Sequence, residues 1–154
     1  KLIKEVADRY LQKKVVSKNI VNSSKELFNY LYYKMQNKDR EIFFAIYLNA
    51  KNKILATEKL FEGSLTASMV YLREVVKAAI EKKAAALIFV HNHPSGDPEP
   101  SDEDIAITKR LIFACRIIGI AVHEHIIIGN KGYYSFSDNG HIARINREFN
   151  AKKQ

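Results

Sequence analysis

Two histidines separated by one residue, His91 and His93, precede a serine and an aspartate, Ser101 and Asp104, and together they could hold a zinc ion. Side chains alternate along an extended strand, so two histidines at this spacing point the same way. Imidazole nitrogens are good zinc ligands, and a carboxylate from a neighbouring element supplies a third. Three protein ligands leave one position for a water, whose pKa the metal lowers to about 7. The chemistry to expect is therefore metal-assisted hydrolysis. A competing explanation covers half of the set, because Ser-x-x-Asp at a helix start is close to a capping box.

The elements that must position these residues are legible on either side. Ala86 to Val90 is a short apolar run of the kind that forms a buried strand, and Asp102 to Ile118 has the character of a helix that Gly119 would stop. All three prolines of the chain, Pro94, Pro98 and Pro100, lie in the connection and stiffen it. Upstream, helical spacing predicts a helix over Leu2 to Lys13, and Ser23-Ser24-Lys25-Glu26 opens a second that ends near Asn37. Ile42 to Leu48 and Ile54 to Phe61 form an antiparallel hairpin about the Asn49 to Lys53 turn, and Met69 to Ile80 is again helical. Ala121 to Ile128 and Tyr133 to Phe136 complete the strands, and Arg144 to Gln154 is a basic helical or frayed tail. This order predicts an α/β fold: a mixed central β-sheet with helices on both faces.

Composition narrows the class. The chain of 154 residues is 47% hydrophobic and 27% charged, which suits one soluble domain. No apolar run reaches the roughly 20 residues of a membrane span. The single Cys115 forms no internal disulfide, so the expected compartment is the cytoplasm. The net charge of +8 is concentrated at the ends, in Lys1, Lys4, Lys13, Lys14 and Lys18 and in Arg144, Arg147, Lys152 and Lys153. These are read as solvated termini, with a weak, salt-sensitive nucleic-acid contact as the alternative.

His91-Asn92-His93-Pro94 followed by Ser101-x-x-Asp104 resembles the JAMM metalloprotease signature of JAB/MPN domains. The wording His91 to Ser101, with Glu62-Gly63-Ser64-Leu65, Arg73-Glu74-Val75, His125 to Gly129 and Tyr134-Ser135-Phe136, is similar to the RadC branch of that superfamily. The resemblance implies a JAB/MPN (cytidine-deaminase-like) sandwich and a Zn2+ cofactor held by His91, His93 and Asp104. It implies that Ser101 stabilises the tetrahedral intermediate and that a glutamate before the first strand moves the water's proton. Glu41 occupies that place, with Glu62 in reserve. It further implies a zinc-dependent hydrolase of a peptide or isopeptide bond in a protein substrate. The alternatives are a DNA-repair-associated accessory domain with a structural or vestigial metal site, and a purely structural partner-binding module.

Family members usually carry Asp-His where this chain has Glu124-His125. His123-x-His125 also alternates but has no carboxylate across a following loop, so it is read as no ligand pair. Other zinc classes fit less well: there is no His-Glu-x-x-His, and the lone Cys115 excludes a deaminase site. The expected division is an N-terminal helix and linker over residues 1–20, the JAB/MPN domain over 21–138 and a basic tail over 139–154. The first helix would be a remnant connector to a helix-hairpin-helix module outside this sequence, which begins without Met.

Overall fold

The computed structural model describes residues 29, 31–33, 35, 39–63, 72–130 and 132–153. The expected helix over Leu2 to Lys13, the capping box at Ser23 and the start of the helix around Met69 lie outside them.

Strands β1 (Ile42–Leu48) and β2 (Ile54–Glu62) form the antiparallel hairpin. Asn49 closes its turn, its side-chain oxygen accepting from the backbone N–H groups of Lys51 and Lys53 at 2.9 Å each. Helix α1 (Leu72–Glu81) leads to β3 (Ala86–Asn92), and α2 (Asp102–Ile117) crosses over to β4 (Ala121–Ile128). A short β5 (Tyr133–Ser135) and helix α3 (His141–Lys153) end the chain. The sheet order is β2-β1-β3-β4-β5, with β3 and β4 parallel and the other pairs antiparallel. This is a mixed, open five-stranded sheet flanked by helices, an α/β arrangement consistent with a JAB/MPN domain.

Strand β3 is buried along its whole length, which explains its uninterrupted apolar sequence. Leu87 and Phe89 enter the larger core, with Phe43, Val75, Ala79, Ile107, Leu111 and Ile145 of the neighbouring strands and helices. Ile88 and Val90 enter a second core with Ile46, Ile126 and the helical residues Leu31 and Met35. Two facts about β3 set up the site. It runs two residues beyond the expected end at Val90, because His91 still pairs with Phe43 and Ile127, and Asn92 with Ile128. Alternation then sends His91 to the face covered by α2 and Asn92 to the other.

The basic C-terminal segment is ordered as α3 against α2. Ile145 is fully buried, Phe149 meets Phe113 edge-on at 5.3 Å, and Arg116 bonds Asn146 and Asn150 at 2.6 Å each.

Candidate metal centre

Three elements converge where β3 ends. The β3 end contributes His91, the following loop His93, the first turn of α2 Asp104, and the residue before β1 Glu41. One donor atom from each lies within 4.8 Å of the others. His91 Nε2 is 3.2 Å from His93 Nε2 and 3.2 Å from Asp104 Oδ1, and His93 Nε2 is 3.0 Å from Asp104 Oδ2. Tetrahedral zinc with bonds of about 2.0–2.1 Å places its donors about 3.3 Å apart, so the spacing and the two-imidazole, one-carboxylate set both suit that ion. Glu41 Oε1 stands further back, 3.6 Å from His91 Nε2 and 3.9 Å from His93 Nε2.

Each donor is fixed through its own neighbours. The His93 Nδ1–H donates to the Asp97 carbonyl at 2.8 Å, so Nε2 is the nitrogen directed at the cluster. Its backbone N–H reaches the Ile128 carbonyl at 2.9 Å, tying the loop to the end of β4. Glycine is needed at the far side of that tie, since a Cβ on Gly129 would lie 2.2 Å from the Gly96 carbonyl oxygen.

Asp104 is held by the capping box. Ser101 is the N-cap of α2, its hydroxyl accepting from the Asp104 N–H at 3.1 Å, and Asp104 Oδ2 accepts from the Ser101 N–H at 2.8 Å. Burial opposes ionisation of this carboxyl, but the neighbouring His91 and His93 imidazoles and the Ser101 N–H outweigh it and hold Asp104 well below the usual carboxylate range. His93 shows the complementary effect. Desolvation lowers its pKa, and the Asp104 carboxylate and the Asp97 carbonyl more than reverse this.

Glu41 is positioned through its backbone. Its carbonyl accepts from the Gly63 N–H at 2.9 Å. On either side, Asn92 Oδ1 accepts from the Ile42 N–H at 2.7 Å and Asn92 Nδ2 donates to the Arg40 carbonyl at 3.0 Å. The middle residue of His-Asn-His therefore clamps, from the opposite face of the sheet, the segment that carries Glu41. Replacing Asn92 by Ala strands the buried Ile42 amide. It is expected to cost about 1–3 kcal/mol in urea unfolding of the metal-free chain, and to slow any reaction that depends on Glu41.

Behind the cluster lies His125, fully buried like His91. Its Nε2 is 2.8 Å from His91 Nδ1, and its Nδ1 is 2.6 Å from Thr108 Oγ1. The two rings sit between aromatic walls: Phe43 stacks on His91 at 5.3 Å and Phe136 on His125 at 4.5 Å. His123 is remote from this group and contacts Asn52 at 3.3 Å.

Glu124 is a structural acid. It accepts from the Ser135 hydroxyl at 2.6 Å, the Ser137 N–H at 2.8 Å and the His125 N–H at 2.9 Å, joining β5 and the turn after it to β4. Burial raises its pKa from 4.5 to about 6, and these hydrogen bonds limit the rise. A carboxyl whose pKa is raised by folding favours the fold most while protonated. Its contribution is complete below pH 4.5 and lost as pH climbs through about 6. Relative to a Glu124→Gln variant, the native chain should lose about 2 kcal/mol of stability over that window, measured by urea unfolding at each pH.

Of the residues singled out in the sequence, Glu41, His91, His93 and Asp104 are brought into one cluster, with Ser101 at its edge as the cap of α2. Glu62 lies in β2 and pairs with Lys59 at 2.7 Å. Asn92, Thr108 and His125 were not singled out for roles at the site. Thr108 carried a signal, since it falls on the inward stripe of α2 with Asp104, Ile107, Leu111 and Cys115, where a hydroxyl needs a partner.

Known proteins resemble the chain over this same region. The family model for the RadC-like JAB domain matches residues 21–141. A UPF0758 protein of Caldanaerobacter subterraneus is 49% identical over 124 residues, covering 75% of this chain and 53% of its own length. One from Pelobacter propionicus is 44% identical, covering 88% and 59%, and one from Methanosarcina mazei is 44% identical, covering 81% and 55%. The chain thus spans little more than half the length of these curated relatives.

Proposed function

Because the chain belongs to the RadC-like JAB domain family, we propose that it is a zinc-dependent hydrolase cleaving a peptide or isopeptide bond. The observation that carries this reading is the meeting of Glu41 with His91, His93 and Asp104. That set combines ligands for one metal with a carboxylate set slightly outside them. A zinc ion held by the two imidazoles and Asp104 supplies a Lewis acid and a water that ionises near neutral pH.

The remaining steps belong to the protein. The Glu41 carboxylate accepts the proton of the attacking water at Oε1 and returns it to the departing amine nitrogen, so one residue serves as base and then as acid. The Ser101 hydroxyl accepts its capping bond from the Asp104 N–H. It keeps its own proton to donate to the substrate carbonyl oxygen as negative charge grows there. The backbone clamps on residues 40–42 hold Glu41 in place between these two transfers.

The test is a panel of peptide and isopeptide-linked substrates given to zinc-loaded and chelator-stripped protein. Turnover confined to the loaded protein supports the reading. A loaded protein that cleaves none of the panel, with one equivalent of zinc confirmed, overturns it. A second reading, a nucleic-acid contact, rests on the net charge of +8; it requires DNA affinity at low salt that falls steeply as salt rises.

A further inference from the structure

We infer that His125, with Thr108 behind it, is the positioning pair that holds His91 in the one tautomer able to bind a metal. The proton count along the chain of contacts carries the argument. A backbone carbonyl only accepts, so the Thr108 hydroxyl spends its single proton on the Asp104 carbonyl at 2.7 Å. Its oxygen must then accept from His125, which puts the His125 proton on Nδ1, at 2.6 Å. The lone pair of His125 is left on Nε2, where it accepts from His91 Nδ1 at 2.8 Å. His91 therefore carries its proton on Nδ1 and presents a bare Nε2 to His93 and Asp104. The chain ends on the backbone of the residue whose carboxylate faces that same Nε2, so two of the ligands are tied to each other from behind.

The surroundings leave this chain few alternatives. His91, Thr108 and His125 are each fully buried, so water has no ready access to replace a missing partner. Phe43 and Phe136 stack on the outer faces of the two rings and restrict their rotation. Outer hydrogen bonds of this kind orient a metal-bound imidazole and raise its basicity, and losing one typically costs 10–100-fold in metal affinity. His125 touches no reacting atom, and its role is exerted through His91 alone.

This inference rests on the metal reading above but not on the hydrolytic one, so its readouts are metal binding and ring tautomer. Zinc affinity is measured by competition with a chromophoric chelator for the native chain and for His125→Leu, His125→Gln and Thr108→Val. The Leu variant should bind about 10–100-fold more weakly. The Gln variant, whose amide oxygen can accept from His91, should stay within about threefold of the native value. Thr108→Val, nearly isosteric and safer for folding, should weaken binding by a smaller factor than the Leu variant. In the native metal-free chain, imidazole nitrogen NMR should show both His91 and His125 protonated on Nδ1. Equal losses for Leu and Gln, no loss for Leu and Val, or a His125 protonated on Nε2 would each overturn the inference. A native chain that shows these tautomers yet binds no zinc would instead overturn the metal reading.

Discussion

Replacing Glu41 by Gln is expected to lower the hydrolytic rate by about 10²–10⁴-fold while the chain keeps one equivalent of zinc. Such a loss corresponds to about 3–5 kcal/mol of transition-state stabilisation. Gln matches Glu in size and keeps a hydrogen-bonding oxygen, but it cannot take a proton from water at neutral pH. The geometry says why zinc should remain. Glu41 Oε1 is 3.6 and 3.9 Å from the two imidazole nitrogens, outside the 3.0–3.2 Å spacing of the other three donors. That offset suits a carboxylate that holds a water rather than the metal itself. The check is a turnover number set beside a zinc titration of the same sample. Loss of both rate and zinc would make Glu41 a fourth ligand, and retention of both would remove it from the mechanism.

Asp104→Asn should have the opposite signature, with metal and activity lost together. The amide oxygen of Asn can still accept from the Ser101 N–H, so the start of α2 survives, but the charge that faces His91 and His93 is gone. Removing an outer partner of a ligand costs 10–100-fold in affinity, so removing a ligand's charge should cost more than about 100-fold. Thermal melts give a direct readout. Zinc at about one hundred times its dissociation constant stabilises the native chain by about 2.7 kcal/mol. At the same concentration the variant should show almost none of that gain. An equal gain in both proteins would mean that Asp104 serves only the helix cap.

The metal cluster was legible to different depths for physical reasons. His91, His93, Ser101 and Asp104 follow local rules, two residues apart at the end of a strand and three apart at a helix start, so sequence spacing alone suggests their grouping. Glu41 reaches them through the antiparallel register that sets Phe43 beside His91, a long-range pairing that only the family resemblance pointed to. His125 depends on the parallel pairing of β3 with β4, which contains a register shift between Leu87 and Ile88. No pattern within either strand encodes that shift, so the lack of a carboxylate across a following loop could set His123 and His125 aside as ligands without revealing what His125 touches. The fold was easier, because the apolar runs of β1, β3 and β4 are long and the turns carry Asn or Gly. The end of β3 was placed too early for an instructive reason. His91 and Asn92 are polar, yet the backbone of His91 still pairs on both sides and that of Asn92 with β4.

The Asp104 carboxylate has two employers, the first turn of α2 and the metal cluster. Natural selection can relax one without releasing the other. In a lineage that had abandoned metal chemistry, Ser-x-x-Asp would still be retained because α2 needs its cap. The buried imidazoles of His91 and His125, no longer compensated by a ligand bond, would be free to drift toward apolar residues. A surviving Ser-x-x-Asp is therefore weak testimony to a working metal site in any relative. The histidine pair with its buried histidine behind it is the diagnostic half of the motif.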